Sequence, residues 1–125
     1  MTALLGIDLG AGSLKGTLID ETGATLAEAA APIATRNPKP GWAEQDPAEW
    51  WQALCEVVPR VLEQAGIAAG DIAAVGLSAG AHIAVLEDAD GQVIRPAIMW
   101  NDQRSTAAAP ALHEQGARDR ERDRD

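Results

Sequence analysis

The sequence contains no phenylalanine and no tyrosine, and its four aromatic residues are all tryptophan. A core made of Ala, Leu, Ile and Val buries less area per residue than an aromatic one, so modest stability is expected. A single cysteine, Cys55, excludes an intrachain disulfide and suits a reducing compartment. It falls in a helical pattern with apolar neighbours and reads as a small buried hydrophobe. No segment approaches the ~18 uninterrupted apolar residues of a membrane span. Met1 to Leu5 carries no basic region and Asp8 breaks the apolar run, so no signal peptide is expected and the reading is cytoplasmic. Basic residues are scarce as well: ten Lys or Arg stand against nineteen Asp or Glu, a formal net charge of -9. The last eight residues alternate four Arg with four acidic groups and cancel, so the excess lies before Arg118. Unassisted binding to nucleic acid or to an anionic membrane is therefore not expected. An anionic cosubstrate would need local donors or a divalent cation.

What is present is one domain's worth of chain, 125 residues with 46% hydrophobic content. Ala3 to Leu9 reads as a strand apolar on both faces, and hence buried on both. Gly10 to Ser13 is a turn, Leu14 to Asp20 a second strand, and Glu21-Thr22-Gly23 another hairpin turn. Ala24 to Ile33 is a third strand, although Ala27 to Ala31 leans helical. Pro38, Pro40 and Gly41 make 35–45 a loop. Asp46, Pro47 and Glu49 form a helix start, with Asp46 as cap and Glu44 as solvated surface. The helix face runs Trp51, Leu54, Cys55, Val58, Val61, Leu62 and Ala65, and Gly66 stops it. Pro59 should kink or split this helix. At most one of Trp50 and Trp51 faces the core, and Trp42 would plug its loop onto the domain. Ile72 to Ser78 reads as a buried strand, His82 to Glu87 and Gln92 to Arg95 as a strand pair around the turn Asp88 to Gly91, and Pro96 to Trp100 as extended. A helix would begin at Gln103. The closing R-D-R-E-R-D-R-D has no apolar residue and reads as a disordered tail; a salt-bridged helix or a shifted reading frame stays open.

Chemistry concentrates at L-G-I-D-L-G-A-G-S-L-K-G-T-L-I-D, Leu5 to Asp20. Asp8 ends a strand beside a turn with exposed backbone amides. A carboxylate there can hold magnesium, and the amides, Ser13 and Lys15 can meet phosphate oxygens. The same residues also suit an ordinary hairpin with a solvated Asp. Gly10, Gly12 and Gly16 have the wrong final spacing for a dinucleotide fingerprint, and no Walker P-loop is present.

The hairpin D-L-G-A-G-S-L-K-G resembles the first phosphate motif of the actin, Hsp70 and sugar-kinase superfamily. Two further stretches, G-W-A-E-Q-D-P-A-E-W-W (Gly41 to Trp51) and V-G-L-S-A-G-A-H-I-A-V-L-E-D-A-D-G-Q-V-I-R-P-A-I-M-W-N-D-Q-R-S (Val75 to Ser105), are similar to FGGY carbohydrate kinases, xylulokinases above all. The three come in family order and cover about Ala3 to Ser105. The resemblance implies an α/β, ribonuclease H-like partial N-terminal domain over 1–105: a mixed sheet that opens with a β-meander and carries flanking helices. Residues 106–125 would hold a helix start and the charged tail. The implied activity is ATP- and magnesium-dependent phosphorylation of a sugar or polyol hydroxyl. Asp8 would be the magnesium-associated aspartate, with Gly10, Gly12, Ser13 and Lys15 at phosphate-loop positions. Ala81, His82, Trp100, Asn101 and Asp102 would contact the sugar, with Arg104 near them.

The match has departures. Ala11 and Gly12 stand where related families often carry Thr or Ser. Ala79-Gly80-Ala81-His82-Ile83 replaces the G-Q-M-H-G usual in xylulokinases, which leaves open a sibling kinase for a polyol, gluconate or a deoxysugar. The catalytic aspartate and adenosine site of the family would lie beyond residue 125, so no catalytic residue is assigned within the chain, and inactivity of this segment alone is expected. A non-catalytic binding module stays the alternative from another class, and the oligomeric state stays open.

Overall fold

The computed structural model describes residues 2–122. Strands β1 (Ala3–Leu9), β2 (Ser13–Asp20) and β3 (Thr25–Pro32) form the expected antiparallel meander, with Asp8 opposite Lys15 in the β1–β2 register. Two-residue strand β4 (Glu44–Gln45) precedes helix α1 (Pro47–Ala65), which crosses over to β5 (Ile72–Ala79). β5 lies parallel to β1, giving the order β3-β2-β1-β5, a mixed sheet as expected. The short strand β6 (Ala97–Ile98) pairs antiparallel with β4, and α2 spans Ala109–Arg122.

The turns follow their residues. Asp20 Oδ1 accepts from the Thr22 and Ala24 amides and the Thr22 hydroxyl, and Gly23 takes φ +86° to close the hairpin. Asp46 Oδ1 caps α1 by accepting from the Ala48 amide at 2.9 Å, and Gly66, at φ +65°, ends the helix in the left-handed region. Pro59 does not split α1. It lies on the exposed side with Cys55, where water can satisfy the carbonyl it leaves unpaired.

The core lies between α1 and one face of the sheet. Ala53, Val57 and Val61 pack on Leu5, Ile7, Leu14, Leu18 and alternate alanines of β3. Those alanines explain why β3 is a strand despite its helical leaning: Ala27, Ala29 and Ala31 all face inward, and their small size lets the helix approach. Gly16 has the same role. A Cβ on it would stand 2.6 Å from Val57 Cγ1.

Several expectations are corrected. β1 is buried on one face only; Leu4, Gly6 and Asp8 face solvent on the side α1 does not cover. The helix face is turned from the expected one. Trp50 is half-buried against the core, while Trp51 and Cys55 are exposed, so Cys55 is not a buried hydrophobe. β5 is not buried: Val75 and Leu77 are 63% and 74% exposed, because α1 covers β2 and β3 and no described element covers β5. The strands expected at His82 to Glu87 and Gln92 to Arg95 reduce to an isolated Glu87–Val93 bridge around the Asp88 to Gly91 turn. The last helix begins at Ala109 rather than Gln103, after a run of turns, and reaches Arg122. Residues 118–122 are thus helical rather than disordered, since extending a formed helix through Arg and Glu is easier than nucleating one. Residues 123–125 of the expected tail lie outside the described residues. Among the described residues no helix is long and apolar enough to cross a membrane.

The close approach at Gly16 gives a test. Gly16→Ala should destabilise the chain by about 1–3 kcal/mol through overpacking. Combined with Val57→Ala, itself destabilising, the loss should be smaller than the sum of the two single losses, read from the urea-denaturation midpoints of the parent, both single variants and the double. A Gly16→Ala midpoint equal to the parent's would rule out this contact.

Candidate functional site

The β1–β2 hairpin closes through Gly10, whose amide donates to the Ser13 carbonyl at 3.0 Å. A Cβ at Gly10 would crowd that carbonyl at 3.2 Å, so the turn favours glycine there. The Gly12 carbonyl accepts from the Ile33 amide, tying the turn to the end of β3. Ala11 and Gly12, both exposed, form the tip. Asp8 lies on the open face of the sheet between Lys15 and Ser78 on the neighbouring strands. Lys15 does not reach toward the turn: its Nζ pairs with Glu28 Oε1 at 2.9 Å across β2–β3. That ammonium, together with the Thr17 hydroxyl, lowers the Glu28 carboxyl below its ordinary value. No group of three or more potential ligands gathers among the described residues. A lone exposed Asp8 therefore fits a magnesium ion held mainly by water and phosphate, and does not fit a protein-made cage.

A second region is built by pairing the loop before α1 with the segment around β6. Glu44 faces Ile98 and Gln45 faces Ala97. Ala43 O accepts from the Met99 amide at 2.9 Å, and Gly41 O from the Gln103 amide at 2.8 Å. Asp102 locks this zipper. Its Oδ2 accepts from the Ala43 amide at 2.6 Å and from Arg104 Nη2 at 2.7 Å, while its Oδ1 accepts from the Arg104 amide and Nε. Arg104 also pairs with Glu44 at 2.8 Å and stacks over the Trp42 ring at 3.7 Å. Trp42 does pin its loop, through this stack. Glu44, expected as solvated surface, is largely buried between Arg104 and Arg95. The hydrogen bonds from Arg104 hold the Asp102 carboxyl well below the usual carboxylate range, outweighing the opposing effect of its surroundings.

Above this zipper, His82, Arg95, Met99, Trp100 and Asp102 line a cleft. His82 sits at φ +59°, a strained conformation for a residue with a side chain. Trp100 is two-thirds exposed, and Ala81 and Asn101 are exposed beside it. An adjoining groove runs from Gly10 and Ala11 to Met99 and Trp100, so the hairpin turn and the cleft wall share one cavity. The structure thus sets Trp100 beside the turn in one cavity and beside His82 in the adjoining one. It leaves Lys15 on Glu28 and commits Asp102 to the scaffold. Sequence reasoning missed Gln45, whose buried side chain donates to Ala11 O and Thr35 Oγ1 and accepts from the Trp50 indole. Its sequence signals are the two-residue alternation that also buries Ala43 and its place in the stretch Gly41 to Trp51.

The sequence model for the FGGY family of carbohydrate kinases, N-terminal domain, matches residues 3–125. A glycerol kinase from Polaromonas sp. is 38% identical over 117 residues, covering 93% of this chain and 24% of the relative. A xylulose kinase from Escherichia coli is 39% identical over 100 residues, covering 80% of this chain and 20% of the relative. The crystal structure of a xyloylose kinase from Brucella ovis superposes with a TM-score of 0.87 at 37% identity, covering 92% of this chain and 24% of that one. The chain spans about a quarter of the length of the curated relatives it matches.

The Asp102 cluster makes stability depend on pH. A carboxyl whose pKa is depressed by folding stabilises fully above its unfolded value of about 3.9, and loses that contribution as pH falls toward the folded value. Asp102→Asn should therefore melt below the parent at pH 7, with a gap that narrows at pH 3. Thermal denaturation at the two pH values checks this, and a constant gap would refute it.

Proposed function

Because the chain belongs to the FGGY family of carbohydrate kinases, we propose that it supplies the phosphate turn and the acceptor wall of an ATP-dependent sugar or polyol kinase. One observation carries this reading: the turn at Gly10 and Ala11 and the wall at Met99 and Trp100 open onto the same groove. A γ-phosphate at the turn and a hydroxyl against Trp100 would face each other there. Phosphoryl transfer depends mostly on such positioning and on charge stabilisation.

In this reading the exposed tip at Ala11 and Gly12 and the Ser13 hydroxyl bind phosphate oxygens. Magnesium held through Asp8 would offset the charge on the transferring group. His82 and Asn101 hydrogen-bond the acceptor, Trp100 packs on its carbon face, and the small Ala81 leaves room beside it. Lys15, paired with Glu28, adds no free positive charge at the turn. The acceptor oxygen bonds to the γ-phosphorus, the bond to the β-phosphate oxygen breaks, and the acceptor's proton must pass to a base. Asp102, the one carboxylate lining the cleft, has both oxygens engaged and is not that base. The relatives named for glycerol and xylulose make a polyol or ketose the first acceptors to try. The altered Ala79 to Ile83 segment keeps gluconate or a deoxysugar as the second choice. Use of ATP suits a cytoplasmic setting, with residues 1–105 as the kinase-like body.

The 125-residue chain alone, with ATP, magnesium and glycerol or xylulose at saturation, is expected to show no sustained ADP release. Steady turnover would refute the assignment of no base. Calorimetric titration with the same compounds should give a binding heat that Trp100→Ala abolishes. No heat with any polyol or sugar would refute the acceptor cleft.

A further inference from the structure

Gln45 is 1% exposed, the one polar residue in the buried core of the described chain. A buried primary amide must place both hydrogens and its oxygen on partners or lose stability. Gln45 does so with three partners from three places. Nε2 donates to the Ala11 carbonyl at 2.6 Å and to Thr35 Oγ1 at 2.9 Å, and Oε1 accepts from Trp50 Nε1 at 2.9 Å. Ala11 is the tip of the hairpin turn, Thr35 follows β3, and Trp50 is in the first turns of α1. The backbone of Gln45, meanwhile, pairs with Ala97, two residues before Met99 on the segment that carries Trp100.

We propose that Gln45 is a positioning residue, which fixes the carbonyl of the turn tip and thereby sets the turn at a defined distance from the cleft wall. The role rests on the kinase reading above. The contact is specific to an amide. A carboxylate in its place would set negative charge against the Ala11 carbonyl, and an apolar side chain of the same length would fill the space but leave that carbonyl without its donor. The exposed turn tip carries no side chain larger than a methyl group that can anchor it, so its order comes from the Gly10, Gly12 and Gln45 hydrogen bonds.

The test uses the 125-residue chain and amide-resolved NMR. Gln45→Met keeps the volume and removes the donor. Val61→Ala, in the core at the far end of α1, controls for loss of stability alone. Gln45→Met should speed hydrogen exchange by about tenfold at the two amides that hold the turn, Gly10 on the Ser13 carbonyl and Ile33 on the Gly12 carbonyl, the effect of losing one buried hydrogen bond. Val61→Ala should leave those amides unchanged relative to the rest of the sheet. Titration with magnesium pyrophosphate should shift the Ala11 to Ser13 amides in the parent chain and in Val61→Ala, and more weakly in Gln45→Met. Equal exchange at the turn in Gln45→Met and Val61→Ala would overturn the positioning role. Faster exchange in Gln45→Met, with no pyrophosphate-dependent shift in the parent, would instead overturn the phosphate reading and reduce Gln45 to a structural tie.

Discussion

The molecule depends on the satisfaction of one buried amide. Gln45 sits where the end of β3, the start of α1, the hairpin turn and the β4–β6 pair converge, and its side chain bonds the first three. Leaving such a group unpaired in an apolar setting costs about 1–3 kcal/mol, a large part of the stability of a small domain. The three partners must therefore arrive together. Thr35 can be in place only if β3 ends where it does, and Trp50 only if α1 starts at Pro47. Ala11 requires the two-residue turn closed by Gly10. The amide thus couples the register of the hairpin to the phase of the helix, and both to the cleft wall.

A second constraint is the one-sided cover of the sheet. Gly16 and the inward alanines of β3 let α1 lie close on β2 and β3, and that leaves the opposite face to Asp8, Lys15 and Glu28. The charged face and the close-packed face are two sides of the same alternation, since a strand sends successive side chains to opposite faces. A shift of one residue in the β1–β2 register would bury Asp8 under α1. The place of the carboxylate beside the turn is thus enforced by the packing of Leu5 and Ile7 on the other side.

The hairpin, the Asp46 cap, the Gly66 stop and the Asp88 to Gly91 turn were legible because each rests on residues within a few positions of one another. The exposure of β5 was not. Val75 and Leu77 tell that a strand wants cover, but local apolarity does not tell whether these residues supply it. The phase of α1 differs by about one position from the expected one because Trp50 and Trp51 are equally apolar; the packing of Ala53, Val57 and Val61 on the sheet and the bond from the Trp50 indole to Gln45 turn Trp50 inward. The Asp102–Arg104–Trp42 cluster joins residues about sixty positions apart, and no periodicity marks it. Family resemblance pointed to those segments but assigned Asp102 to the sugar, whereas the structure uses both of its oxygens to hold Arg104 and the Ala43 amide.

The charge distribution bears on the proposed phosphate site. The chain carries a formal charge of -9, so its general field repels a nucleotide. Lys15, the one cation on the strand leading from the turn, has its charge engaged by Glu28. The two arginines beside the cleft are likewise paired, Arg104 strongly and Arg95 at the longer distance of 3.4 Å. A phosphate at Ala11 to Ser13 would then meet neutral donors and no free cation from this face. Neutral amides orient an oxyanion well but do not cancel several negative charges. Asp8 adds a further negative charge nearby. Within the proposed reading, these facts make a divalent cation a requirement of phosphate binding rather than an accessory to it. The Asp8 carboxylate, unfavourable to bare phosphate, becomes useful only as a partner for that cation.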